Sequence, residues 1–219
     1  MKKMKFKSVV LFIGMLVFLS GCTIKKTNNL SYNADLPNNN FKTRETSTYS
    51  KNSSEQGLGS VKIQYNLSHI PKLASNQVAV WIEDTEGNYV RSLYASKFTA
   101  SGGYAQRSEA LSEWIKKSNW RNATKSQVDA VSSATQKPGT INITWDCKDD
   151  KAKAVKPGKY VYIVEGNIYW DNRVLWKGEV EVGNNENKST AKAEYVHENV
   201  KDKEILIDNV SAIFTPKSN

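Results

Sequence analysis

The chain has 219 residues, with 31 Lys and Arg against 22 Asp and Glu and a formal charge of +9, enough for one well-buried domain and too short for two large ones. Four of the basic residues fall within the first seven positions, and residues 57–219 hold 22 basic and 19 acidic side chains, a balance that points away from a nucleic-acid partner. Cys22 and Cys147 are the only cysteines and His69 and His197 the only histidines, too few for a zinc site, a cysteine-ligated cluster or a disulfide framework.

In chain order, Lys2 to Lys7 form a positive region and Val9 to Phe18 an apolar run of signal-peptide length, shorter than the roughly 20 residues of a spanning helix. The run ends in Leu19-Ser20-Gly21-Cys22, which resembles the lipobox of bacterial lipoproteins. That resemblance implies a signal peptide over 1–21 and a lipidated Cys22, which would hold the protein on the extracytosolic face of a cell membrane without spanning it. In a Gram-negative envelope the outer membrane is a second destination. Residues 23–56 contain seven Asn, five Ser and five Thr with no apolar period, the composition of a disordered tether that carries the folded part away from the lipid.

The domain is expected over 57–219. Val61, Ile63, Tyr65 and Leu67 alternate with polar residues, as in a half-buried strand. Gln77 to Asp84, a turn at Thr85-Glu86-Gly87-Asn88, and Tyr89 to Ala95 read as a hairpin. Leu111, Trp114 and Ile115 share a helical face, so one short helix is expected over Arg107 to Ser118, with Ser108 as its cap. The following 20 or so residues show little regular pattern and read as a long irregular loop, the natural place for function. Further strands are expected over Thr140 to Asp146, Tyr160 to Glu165, Val174 to Val182, Ala191 to His197 and Glu204 to Phe214. About eight short strands joined by turns predict a mainly β, Ig-like β-sandwich.

Three resemblances refine this expectation. Trp145-Asp146-Cys147-Lys148-Asp149-Asp150 followed by Val155-Lys156-Pro157-Gly158-Lys159-Tyr160 resembles a turn of Ig-like modules such as the flagellar hook-capping protein. There Trp145 would pack in the core, the aspartates would shape the turn, and Cys147 would stand at the usual glycine as a free thiol. The order of Val78 to Asp84, Gly87 to Leu93, Trp114, Val128 to Thr135, Pro138-Gly139 and Trp145-Asp146 is similar to domain-of-unknown-function family 2271, predicted exported bacterial proteins. That likeness supplies no chemistry.

The run Asp129 to Thr135 resembles the D-x-x-(S/T)-G-A-T signature of extracytosolic proteins that carry covalent FMN. By that resemblance a flavin transferase would esterify the Thr135 hydroxyl, with Asp129, Ser132, Ser133 and Ala134 as the surrounding recognition residues. Ser133 stands where the signature has glycine, and a need for positive φ there would disfavour serine. Lys125 and Lys137 bracket the run and could neutralise a phosphate, while Tyr104, Trp114 and Trp120 are candidates for a stacking face. The same residues also fit a plain small-residue loop, solvated lysines and core aromatics. Two functions follow: an anchored flavin carrier that exchanges electrons with extracytosolic redox proteins, or a cofactor-free Ig-like binding or assembly module of the envelope. A hydrolase is a distant third reading, since neither G-x-S-x-G nor a metal-ligand cluster is present and two histidines give few ways to build an acid-base pair.

Overall fold

A computed structural model describes residues 58–71, 75–168, 173–196 and 205–218. The signal segment, Cys22 and the expected tether lie outside the described residues. Among the described residues, ten strands form two sheets: β1 (Gly59–Leu67), β2 (Gln77–Asp84), β3 (Tyr89–Ser96), β4 (Ser132–Ser133), β5 (Gly139–Trp145), β6 (Gly158–Asn167), β7 (Val174–Val182), β8 (Asn187–Thr190), β9 (Lys192–Tyr195) and β10 (Ile207–Pro216). One sheet has the order β5-β1-β10-β8 and the other β4-β3-β2-β6-β7-β9. All pairs are antiparallel except the short parallel pair of β3 and β4.

The alternation read in β1 is realised: Val61, Ile63, Tyr65 and Leu67 are buried between the sheets. They meet Val78, Val80 and Ile82 of β2, Tyr162 and Val164 of β6, and Ala212 and Phe214 of β10. Burying each such side chain contributes about 1.5–3 kcal/mol relative to leaving it in water. Near Tyr65 the β1–β10 register shifts between Gln64 and Asn66, and Asn209 takes φ 53°. An extra residue accommodated in the left-handed region is the geometry of a β-bulge.

The six-stranded sheet is covered on both faces. The other face of β2 and β6 carries Ala79, Trp81 and Ile163, which pack under the segment between β3 and β4. That segment contains α1 (Lys97–Ala100), α2 (Ser112–Lys117) and α3 (Lys125–Val131), with 3-10 turns at Gly103–Ala105 and Trp120–Asn122. The single helix expected over Arg107 to Ser118 is therefore six residues, Ser112–Lys117, and two more α-helices accompany it. Leu111 at its start has φ 54°, which cuts the helix short of Ser108. The cap comes instead from β6: the Glu165 carboxylate accepts the backbone N–H of Trp114 at 2.8 Å and of Glu113 at 3.3 Å, satisfying donors that every helix N-terminus leaves open.

The stretch expected to be an irregular loop also holds structure. Thr124 and Gln127 form a capping box that starts α3, with the Gln127 N–H donating to Thr124 Oγ1 at 3.3 Å and the Thr124 N–H donating to Gln127 Oε1 at 2.8 Å. The reciprocal bonds satisfy two orphan donors at once. The strand expected over Ala191 to His197 is Lys192–Tyr195, preceded by a separate β8; Glu204 and His197 lie outside the described residues.

Candidate functional site

The polypeptide leaves the six-stranded sheet at β4 and enters the four-stranded sheet at β5, so residues 134–138 cross from one sheet to the other along one edge of the sandwich. Ser132 and Ser133 lie beside Ala95 and Ser96 of β3. Ser133 is not among the residues with positive φ; it sits in extended backbone that any side chain adopts. Serine in place of glycine therefore introduces no backbone strain here.

Two core tyrosines hold the crossing. The Tyr94 hydroxyl donates to the Ala134 carbonyl at 2.9 Å, and the Tyr65 hydroxyl donates to Gln136 Oε1 at 2.6 Å. Burial raises the pKa of both phenols, which keeps them as donors at all ordinary pH. Thr135 lies between these anchored neighbours and is itself exposed, as are Ser133 and Ala134. A hydroxyl on a segment fixed at both sides is accessible and loses little further entropy when engaged.

The remaining expected site residues separate. Asp129 is exposed on α3 and paired with Lys125 one turn earlier, whereas Thr135 lies in the crossing after β4. Exposed ion pairs of this kind contribute little stability. Lys137 is exposed in the crossing. Trp114 is fully buried and packs against Trp120 with centroids 4.5 Å apart and rings tilted by 42°, so it belongs to the outer-layer core and offers no stacking face. Tyr104 is covered by the Arg121 guanidinium at 4.9 Å.

Trp120 has a second role. Together with Tyr89 and Leu93 of one wall and Ala130 and Val131 of α3, it lines a cavity of about 350 Å3. This is at the small end of the roughly 300–1,000 Å3 typical of ligand pockets. Arg91 and Asp146 close the rim with an ion pair at 2.9 Å. Beneath it the Ser92 hydroxyl accepts the Trp114 indole N–H at 2.7 Å and bonds the Tyr89 hydroxyl at 2.9 Å. These residues were not legible as a site, because β3, α3 and the end of β5 meet only in the folded chain. The signal for α3 was nevertheless present, as Thr124-x-x-Gln127.

The connection after β5 is built to hide its nucleophile. Cys147 is free, fully buried and at φ 54°, as expected of a cysteine in a glycine position. Burial, reinforced by the neighbouring Asp146 charge, pushes the thiol up to about 12, so it carries almost no thiolate. Asp149 Oδ1 accepts the backbone N–H groups of Lys151 and Lys153, both at 2.9 Å. The Trp145 indole donates to the Lys148 carbonyl at 2.7 Å. The aspartate shapes the turn and the tryptophan fills the core, the roles expected for them.

Glu165 is a buried carboxylate that sequence reasoning did not single out. Burial pushes it up to about 7, against the pull of the Trp114 and Glu113 amides and of Arg173. Arg173 Nε lies 3.9 Å from it, and a second arm of the same guanidinium lies 3.7 Å from Glu109. Its backbone partners make it a structural cap.

Comparison with known proteins gives one family. The model of DUF2271, a predicted periplasmic protein family, matches residues 60–198, while no curated protein and no solved structure matches. The matched span runs from β1 to just beyond β9 and includes the crossing, the cavity and the Cys147 turn. The chain therefore belongs to the DUF2271 family of predicted periplasmic proteins.

Proposed function

We propose that this extracytosolic protein is a lipid-anchored flavin carrier, with Cys22 as the lipidated residue and FMN esterified to Thr135. The observation that carries this reading is the exposure of Thr135 between two anchored residues in a run that resembles a flavinylation signature. The residues present fit the group. Ser133 occupies extended backbone, and Ser133, Ala134 and Thr135 are all open to a modifying enzyme.

Bound FMN supplies one- and two-electron chemistry. The chain's own contribution is positional. Tyr94 and Tyr65 hold the crossing in place, and the sandwich behind it gives a rigid mount. On the transferase, Thr135 Oγ would give up its proton and attack the flavin-side phosphorus of a flavin dinucleotide, breaking the pyrophosphate bond and releasing the nucleoside monophosphate. Small side chains on either side leave room for a bulky transferase. Covalent attachment suits an extracytosolic location, where a dissociated flavin would be lost by diffusion.

The test is expression with a flavin transferase followed by denaturing electrophoresis. A fluorescent band from wild type and from Thr135→Ser, and none from Thr135→Ala, is the expected result. A dark wild-type band, or equal fluorescence from Thr135→Ala, overturns the flavin reading and leaves the cofactor-free envelope module.

A further inference from the structure

We propose that β5 is a pairing edge, through which a second copy of this chain adds its own β5, antiparallel and about a two-fold axis at Asn142. The pairing does not depend on attachment at Thr135.

The edge itself is unprotected. β5 ends the four-stranded sheet and, among the described residues, bonds to β1 alone, so its outward backbone N–H and C=O groups are left for another strand. Edge strands are ordinarily kept short or charged, because such groups invite further pairing. The other strands at the ends of the two sheets follow that rule: β4 has two residues, β8 four with Lys188 exposed, and β9 four with Lys192 and Glu194 exposed. β5 has seven residues, no charge and no proline. Its side is also open. Ile141 and Ile143 pack against the inner core yet are only half-buried, whereas Tyr65 and Ile63 opposite them on β1 are fully buried. Beside Thr144 the neighbouring space is the cavity.

The residue order suits a two-fold. Residues with outward bonding groups alternate along a strand, so β5 can meet its own copy only about an axis that passes through a residue. An axis at Asn142, the middle of β5, uses the whole strand. Thr140-Ile141-Asn142-Ile143-Thr144 reads the same in both directions, so Thr140 meets the second copy's Thr144, Ile141 its Ile143, and Asn142 its Asn142. Thr–Thr pairs across strands are favourable, and like charges, which would be costly, are absent. Ile141 and Ile143 of the two copies cover one another on the inner face. Pro138 stands opposite Asp146 in this register, so Lys137 of one copy falls beside Asp146 of the other at each end. The contact closes on itself: the joined sheet has β8 at either end, and a short, lysine-bearing edge stops further growth.

Cysteine cross-linking of the full chain tests the pairing and its register. At the axis the two Cα atoms of residue 142 would stand about 4.5–5.5 Å apart, within disulfide range, whereas residue 140 and its copy would be offset by roughly 13 Å along the strands. The oxidant is copper(II) phenanthroline, which takes two electrons from each pair of thiols. Asn142→Cys should give a reducible dimer on a denaturing gel, about tenfold more than Lys62→Cys, which is equally exposed one strand back from the edge. Thr140→Cys and Thr144→Cys should each stay monomeric, and the double variant should dimerise. Wild type, with Cys22 and Cys147, sets the background. No dimer from Asn142→Cys, as much from Lys62→Cys, or as much from either single threonine variant overturns the pairing. A reducible adduct of another mass overturns it too, by assigning β5 to a different partner.

Discussion

The two faces of the six-stranded sheet are both buried, yet different chemistry closes each of them. The inner face meets the second sheet through apolar side chains such as Val80, Ile82, Tyr162 and Val164. The outer face meets α1, α2 and α3 through Trp81, Trp114 and Ile163, and it also buries Glu165, Gln77, Thr99 and Ser92. Each of these polar groups has partners. Thr99 donates to Gln77 Oε1 at 2.8 Å, and Glu165 caps α2. An apolar interface tolerates sliding within its volume, whereas buried polar groups are costly unless their partners are correctly placed. The inner core therefore supplies bulk stability, and the outer layer supplies the specific arrangement that puts α3 and the cavity at the edge.

That contrast can be broken first where it is strongest. Trp145→Ala removes a fully buried indole from the inner core and should cost about 3–5 kcal/mol, a large share of the roughly 5–15 kcal/mol that holds a domain together. The measurement is the urea midpoint. A loss below about 1 kcal/mol would mean that the inner face is not the main store of stability.

The outer layer predicts a pH effect of smaller size. Burial holds Glu165 at about 7 in the fold against the ordinary carboxylate value of 4.5, so between these values the folded state holds a proton that the unfolded state has released. Stability should accordingly fall as pH rises from about 4.5 to about 7 and level off above. The total is on the order of 3 kcal/mol before other groups contribute. Glu165→Gln should flatten this slope in denaturation measured across the range, and an unchanged slope would assign it to other carboxylates.

The smallest effect lies at the edge where the two layers end. Tyr65→Phe combined with Tyr94→Phe removes the bonds to Gln136 and Ala134 at about 0.5–1.5 kcal/mol each. The main consequence should be local, with faster hydrogen exchange of the amides of residues 134–137 and little change elsewhere. Exchange that rises uniformly would show that the crossing is not separately anchored.

The longer strands were legible because they have a face in an apolar core, which a period of two records directly; β4 and β8 bury no residue fully and were not read. β1 alternates and was read with its inward residues correct. β2 is apolar almost throughout, a pattern that reports burial on both faces but does not say what covers the second one. The helical layer was legible only in part. Trp114 and Ile115 mark α2, but its start depends on Leu111 in a left-handed conformation and on a carboxylate 51 positions away from the amide it caps. Thr124-x-x-Gln127 was a readable start for α3 that the small-residue composition of the stretch obscured. In the candidate site, the Asp129 to Thr135 run was visible as a motif, while its anchoring by Tyr65 and Tyr94 was not.

By itself the sequence determined the sandwich, the core position of Trp145, the free thiol of Cys147 at a turn and the order of motifs that resembles the family. Each of these depends on local periodicity, turn chemistry or side-chain type, which are properties of neighbouring residues. Tertiary structure alone decided that Trp114 is core, that Cys147 is hidden while Thr135 is exposed, that Ser133 sits without strain, and that a cavity forms between β3, α3 and the end of β5. Those outcomes depend on which distant segments meet, Tyr65 with Gln136 and β3 with β5 and α3. Packing between segments sets exposure and hydrogen-bond partnership, and neither quantity is carried by any one stretch of chain.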